Sequence, residues 1–333
     1  MGRVFGLLFQ ILLLHFQVYR PLSTPSSFLD SAHLCLPEQR AVLLEFKNTI
    51  SLDDYCDDYP RTNSWNESMD CCSWNGVSCH VVTGHVIGID LSASCLYGTL
   101  HDNSSLFHLQ GLQRLDLNFN KLDGSLLENS SLFHLQGLQR LNLAHNNFNG
   151  SISSKLFNQL LSLTHLNLSS NSFSGLIPYE ISLLLKLVSL DLSTNAYSSS
   201  LRFDSQGFNM LAQNLTNLRN LTLNFVDMSD VALPSFLNLT SSLERLSLRD
   251  CQLHGEFPSE VFCLPYVQHI DLASNQNVTG YRPKTNLSSG LKLLDLSSCR
   301  FKGPIPASFW NLTQLLFLDF SYNDFGGQIP DTF

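Results

Sequence analysis

Charge is scarce in this sequence. Lys, Arg, Asp and Glu make up 14% of its 333 residues, the net charge is −9, and the 19 basic residues are thinly spread. Nucleic-acid binding needs a concentrated cationic face, so no nucleic-acid partner is expected. Catalytic signatures are missing as well: no GxSxG, HExxH, phosphate-loop or kinase motif occurs, which leaves no expected catalytic residue and no expected cofactor. Metal sites fare no better. The 11 histidines are dispersed, and none stands at ligand spacing from a cysteine. The run Asp53, Asp54, Asp57, Asp58 lacks the glycine and terminal glutamate of a calcium loop and reads as solvated surface. After the first twenty residues no uninterrupted apolar run is long enough for a membrane helix. What the chain does have is apolar surface, 44% of residues, enough for a large core.

The N-terminus reads as an export signal. Arg3 precedes an uncharged, mostly apolar run from Val4 to Tyr19, and small polar residues follow, so residues 1–32 are assigned to a signal cleaved between Tyr19 and His33. Nine cysteines fit an oxidising compartment. Cys35, Cys56, Cys71, Cys72, Cys79 and Cys95 crowd the first hundred residues, while Cys251, Cys263 and Cys299 are scattered. Eleven Asn-x-Ser/Thr sequons agree with export: Asn66, Asn103, Asn129, Asn149, Asn167, Asn214, Asn220, Asn238, Asn277, Asn286 and Asn311.

Self-similarity decides the fold. NSSLFHLQGLQRLDL, beginning at Asn103, returns as NSSLFHLQGLQRLNL at Asn129, and a looser LxxLxLxxNxLxG runs to the end. Its third apolar position holds Leu91, Leu117, Leu143, Leu168, Leu192, Leu223, Leu248, Leu272, Leu296 and Phe320, at intervals of 24 to 26 except for one of 31. In LQRLDL, alternation points Leu112, Leu115 and Leu117 inward and Arg114 and Asp116 outward. Asn120, Asn146, Asn171, Asn195, Asn275 and Asn323 recur three positions after the last leucine, where a buried amide can serve backbone groups unpaired at the turn. Cys251 and Cys299 fill that place in their own repeats and read as buried thiols. Glycine follows at Gly98, Gly124, Gly150, Gly175, Gly255, Gly280, Gly303 and Gly327, for positive φ or close backbone contact. Phe107, Phe133, Phe157, Phe236, Phe262 and Phe309 recur on the far side as aromatic filling. One such unit cannot bury its own apolar face, so about ten stacked copies over 86–333 are expected, the last incomplete. The long interval places an insertion near 201–214, which in a solenoid normally becomes a surface loop.

Residues 33–85 stand where an N-terminal cap must cover the first core layer. Pro37 and Glu38 open a helix with Val42, Leu43, Phe46 and Ile50 on one face, and Thr83-Gly84 reads as a hairpin turn into the first repeat strand. The segments CLPEQRAVLLEFKNTI, SWNESMDCCSWNGVSC and VTGHVIGIDLS, with the 24-residue LxGxIP repeat, resemble plant leucine-rich-repeat receptor-like proteins of the disease-resistance type. The resemblance implies an α/β repeat solenoid, a curved horseshoe with a concave parallel β-sheet. It also implies a disulfide-stapled cap with Cys35–Cys71 and Cys72–Cys79; Cys56 and Cys95 fall outside that framework.

By the same resemblance the chain is a truncated N-terminal portion of an extracellular recognition module acting in pathogen perception. A protein, peptide or glycan ligand is expected, with partner receptor kinases and a plasma-membrane location for the full-length parent. Outward polar residues on the concave strands are the candidate contacts: Arg114, Asp116, Arg140, Asn142, His165, Asp191, Arg245, Arg249, Asp250, His269 and Asp271. Two alternatives stand beside this reading. One is a secreted inhibitor of a microbial cell-wall-degrading enzyme, against which the missing cysteine-bearing C-terminal cap counts; the other is an inactive receptor fragment. The ending GGQIPDTF falls mid-repeat, so the final apolar layer is expected to be uncovered.

Overall fold

Ten short strands, one per repeat, lie side by side in register. The computed structural model describes residues 35–53, 60–126, 130–195, 201–281, 287–305 and 312–327. The first strand, β1 (Val77–Cys79), runs antiparallel to β2 (Val86–Asp90) through the turn at Gly84. From β2 onward every neighbour is parallel: β3 (Arg114–Asp116), β4 (Arg140–Asn142), β5 (His165–Asn167), β6 (Ser189–Asp191), β7 (Asn220–Thr222), β8 (Arg245–Ser247), β9 (His269–Asp271), β10 (Leu293–Asp295) and β11 (Phe317–Asp319). At roughly 4.8 Å per strand, the ten parallel strands span about 45 Å. This is the horseshoe solenoid, with a parallel sheet on its concave side.

The core is the leucine ladder itself. Leu115, Leu141, Leu166, Leu190, Leu221 and Leu246 at the strand centres are all at most 1% exposed. Each such side chain contributes about 2 kcal/mol of burial, and only stacking removes it from water. Ring contacts continue the core along the convex layer through Phe208, Phe236, Phe257, Phe262, Phe301 and Phe325, with centroids 4.6 to 6.3 Å apart. Phe107, Phe133 and Phe157 are buried; Phe309 lies outside the described residues. At β11, Leu316 just before the strand and Phe317 and Leu318 within it are exposed.

The recurrent asparagine is the backbone's polar partner between repeats. Asn120 accepts from the amides of Ser94 and Leu96, and donates to the carbonyls of Leu91, Leu117 and Asn118, at 2.8 to 3.1 Å. Asn146, Asn171, Asn195, Asn275 and Asn323 repeat this bridging from repeat to repeat. Cys251 and Cys299 take over the donor half, their thiols reaching the carbonyls of Leu223 (3.1 Å) and Leu272 (3.2 Å). Burial pushes the Cys299 thiol up to about 11 and Cys251 further still, so neither is a thiolate near neutrality.

The glycines serve two purposes. Gly124 has φ +131°, and a Cβ there would stand 2.9 Å from the Leu100 carbonyl oxygen. Gly280 does not have positive φ; its place is needed because a Cβ would meet the Phe301 ring at 2.5 Å.

The long interval departs from the expectation of a surface loop. Leu201–Arg202 pairs in parallel with Gly175–Leu176, and the chain then forms a helix over Ser205–Asn214. Asp204 caps it by accepting from the Gly207 amide, and Phe208, Leu211 and Ala212 are buried. That amphipathic helix takes the place most other repeats give to a short 3-10 segment and one gives to the six-residue helix Ser154–Gln159, so most of the additional length thickens the convex layer.

The cap is built from its own helix, α1 (Pro37–Thr49), with Leu43 and Phe46 fully buried and Val42 and Ile50 packed partly against the core. Trp65 and Trp74 stack beneath it at 5.5 Å. Disulfides join Cys35 to Cys71 and Cys72 to Cys79; Cys95 is disulfide-bonded too, while Cys56 lies outside the described residues. Polar contacts fasten cap to solenoid: Gln39 accepts from the Val86 amide, Ser105 donates to the Val42 carbonyl, Lys121 pairs with Asp53, Ser51–Leu52 pairs antiparallel with Leu96–Tyr97, and Arg61 pairs with Asp90 at 2.6 Å. The last contact and the Ser92 hydrogen bonds outweigh desolvation and hold the Asp90 carboxyl below its ordinary value. Among the described residues no helix is long and apolar enough to cross a membrane.

Candidate ligand-binding face

Parallel register sorts the outward residues of the concave sheet into two columns. The first runs Arg114, Arg140, His165, Ser189, Asn220, Arg245, His269, each directly opposite the next. The second, two residues on, runs Asp90, Asp116, Asn142, Asn167, Asp191, Thr222, Ser247, Asp271, Asp295. Over β3 to β8 the two columns floor an open cavity of about 620 Å³, and a smaller one of about 250 Å³ adjoins it over β1 to β4.

The second column is largely structural. Asp90, Asp116, Asn142, Asn167, Asp191, Asp271, Asp295 and Asp319 each accept, through Oδ1, from the amide two residues later at 2.8 to 3.2 Å. This turn ends the strand and leads into a residue of positive φ (Phe119, His145, Ser170, Thr194 and Ser274 among them). The candidate Asp250 occupies the same left-handed position beyond its strand, although in its repeat the Arg249 amide is held by Asn224 Oδ1. Burial raises the carboxyls of Asp116, Asp191 and Asp271 above the ordinary value, against the lowering effect of those hydrogen bonds.

Arg249 and Asp271 are tied to each other. Arg249 Nε lies 3.1 Å from Asp271 and its Nη2 2.5 Å from Asp295, whose side chain is only 5% exposed. The guanidinium thus clamps β8, β9 and β10, and two of the candidate contacts are occupied within the chain. The sequence reading missed Asp295, because a strand aspartate alone does not reveal that an arginine two repeats away reaches it. Arg249→Met is expected to cost about 2 kcal/mol at neutral pH, below the full price of breaking a buried pair because Arg249 is 37% exposed. Asp271 already titrates above its ordinary 3.8 in the folded chain. A raised carboxyl gives its stability below the unfolded value and loses it as pH rises, so the deficit of the variant is largest near pH 7 and shrinks towards about pH 4. Urea unfolding at both pH values checks this; a deficit independent of pH counts against the clamp.

Of the other candidates, Asp116, Arg140, Asn142, His165, Asp191 and Arg245 all line the larger cavity, and Arg114 lines the smaller. His269 lies on β9, beside Arg245 in the first column. His165 is held below its ordinary value by burial and then by the charge of Arg140; burial, Arg245 and Lys292 do the same to His269. Ser189, Asn220, Thr222, Asn224 and Ser247 also line the cavity and were not among the candidates as contacts. Strict counting of strand register would have found Ser189 and Asn220. Two sequons, Asn167 and Asn220, sit in the same cavity. Asn103, Asn149, Asn238 and Asn277 are exposed elsewhere, Asn66 and Asn214 are half-buried, and Asn129, Asn286 and Asn311 lie outside the described residues.

With this geometry in hand, the chain can be set beside known proteins. A family described as leucine rich repeat N-terminal domain matches residues 36–80, and one described as leucine rich repeat matches 137–159, 162–184, 242–264 and 290–312. The chain is 38% identical over 264 residues to Receptor-like protein 6 of Arabidopsis thaliana, covering 75% of this chain and 24% of that protein. It is 37% identical over 266 residues to Receptor-like protein Cf-9 of Solanum pimpinellifolium, covering 76% and 27%. It therefore spans about a quarter of the length of these relatives. Among solved structures, the Arabidopsis receptor kinase HAESA in complex with the peptide hormone IDA and the co-receptor SERK1 superposes with a TM-score of 0.73, at 30% identity over 89% of this chain and 47% of that one.

Proposed function

This chain is a leucine-rich-repeat protein carrying both the N-terminal domain and the repeats of that family, and on that footing we propose that it is the extracellular ligand-recognition part of a plant receptor-like protein. The observation that carries the reading is the first concave column. Arg140, His165, Ser189, Asn220 and Arg245 of that column line the cavity of about 620 Å³, and they do so without the strand-ending bonds that most of the second column, which lines it too, makes. A rigid parallel floor with adaptable polar groups suits an extended peptide laid across the strands, and HAESA is in complex with a peptide hormone. Perception of a microbial or endogenous peptide in defence, with partner receptor kinases to pass the signal, is the role this assigns to the parent protein.

The chain itself has no catalytic part in that role. It is assigned to the secretory pathway, with 1–32 as signal, 33–85 as cap and glycans on its sequons. A glycan on Asn167 or Asn220 would stand in the cavity and confine the ligand to one side of it. Export is checked by expressing the chain in plant cells: secreted material whose mass does not fall on peptide-N-glycosidase treatment contradicts the assignment. Recognition is checked by screening the secreted protein against synthetic peptides. Ser189→Trp, at the cavity floor, is expected to abolish binding of any peptide that binds, and Leu237→Asn on the far side to leave it unchanged. The reverse pattern refutes the concave site.

A further inference from the structure

Among the described residues, three of the nine arginines hold a carboxylate. Arg61 holds Asp90, Arg219 holds Glu244, and Arg249 holds Asp271 and Asp295. Arg114 and Arg140 have none. Their guanidinium groups make no ion pair and no hydrogen bond among the described residues, although both are exposed and the two strands place them directly opposite each other. His165 stands opposite Arg140 on the next strand. Like charges opposite one another in a sheet are unfavourable, and in a chain of net charge −9 there is no shortage of acid to neutralise them.

Space has also been left for them. Arg114 lies over Gly88, its Nη2 and Nε 3.2 and 3.3 Å from where a Cβ would be, so any side chain at 88 would press on the guanidinium. Beside the row, Asp116 and Asn142 are bonded to each other through Oδ2 and Nδ2 at 3.1 Å. Both oxygens of Asp116 are thus turned to other partners, and among the described residues it makes no ion pair with either arginine. The second column steps aside, and the first is left cationic.

We propose that Arg114, Arg140 and His165 form an anion-binding row, and that the peptide recognised by this chain lays an acidic side chain across it. The inference rests on the proposed function in taking the ligand to be a peptide. Two adjacent guanidinium forks can each donate a pair of hydrogen bonds to a carboxylate, and the same geometry accepts a phosphate on a peptide side chain. The isolated pair also explains specificity: a neutral peptide would leave the repulsion standing, and a basic one would add to it. Arg245 continues the column beyond Ser189 and Asn220, so a longer acidic peptide has a second cationic stop on the same line, with His269 opposite it on the next strand.

The test uses the full secreted chain and four synthetic peptides of one scaffold, carrying Glu, phosphoserine, Gln or Lys at the same positions. Calorimetric titration is expected to show binding of the Glu or phosphoserine form, or both, weakening as salt rises, with the Gln and Lys forms weaker by about tenfold or more. Whichever acidic form binds tighter identifies the source of the anion. Arg114→Gln with Arg140→Gln is expected to remove the preference for the acidic form, whereas Arg219→Gln, which breaks only the Glu244 pair, is not. Both arginines are exposed, and an unchanged melting temperature confirms that the double variant is folded. If the Gln form binds as tightly as the acidic ones, or the double variant keeps the preference, the anion row is wrong while peptide recognition stands. If none of the four peptides binds, the anion row falls, and Ser189→Trp against any peptide found by screening decides the wider reading separately.

Discussion

Replacing Asn275 by alanine is expected to destabilise the chain by about 4 kcal/mol, because five backbone groups lose their partner at once while each orphaned group alone costs roughly 1–3 kcal/mol. The Asn275 side chain is fully buried. Its Oδ1 accepts from the amides of Cys251 and Leu253 at 3.0 and 3.2 Å, and its Nδ2 donates to the carbonyls of Leu248, Leu272 and Ala273 at 2.7, 2.7 and 3.4 Å. No water can replace these bonds without opening the stack between two repeats. Cysteine at the same place keeps a donor, as the native Cys251 and Cys299 show by reaching carbonyls, but its sulfur is a poorer acceptor than an amide oxygen. Asn275→Cys is therefore expected to cost about half as much. Urea unfolding gives the totals, and amide exchange at Cys251 and Leu253 gives the location. Exchange should accelerate at both in the alanine variant, and a loss below about 1 kcal/mol would show that the ladder is ornamental.

Serine at both Cys35 and Cys71 is expected to cost about 4 kcal/mol, and serine at both Cys72 and Cys79 about 2 kcal/mol, because the first bond closes a much longer loop in the unfolded chain. The sequence separations are 36 and 7. The loss should also be local. In a stacked array each unit depends on its neighbours, and the cap has only Leu43, Phe46, Trp65 and Trp74 as its main buried bulk. Heating the first variant should therefore melt the cap ahead of the repeats, read as early loss of the near-ultraviolet signal of the stacked Trp65 and Trp74. Equal losses for the two pairs would mean that loop closure is not what the long disulfide supplies.

Much of the fold was legible because a solenoid writes its structure in one dimension. The interval between leucines fixes the strand positions, and the residue three beyond the last leucine must bridge two backbones, which selects Asn or Cys. Elsewhere the sequence was ambiguous for physical reasons. The residues before Asn214 could have looped out; only the amphipathic spacing of Phe208, Leu211 and Ala212 sends them into the convex layer. Gly280 looked like its seven counterparts, yet a neighbouring ring, not φ, demands it.

The site was half legible for a similar reason. Alternation says that Arg140 and Asn142 both point outward, and both do. It does not say that Asn142 spends its oxygen on the Ala144 amide, or that Arg249 spends its charge on two aspartates, one of them two repeats away. Those uses depend on side-chain reach between repeats, which no spacing within a repeat encodes.

The most direct test of a concave recognition face is to place a photoreactive group on a peptide that binds and to map the cross-linked residues by mass spectrometry. Cross-links are expected on β3 to β8, centred on Arg140, His165 and Ser189. Cross-links confined to the convex layer, around Phe236 or the Ser205–Asn214 helix, would contradict it.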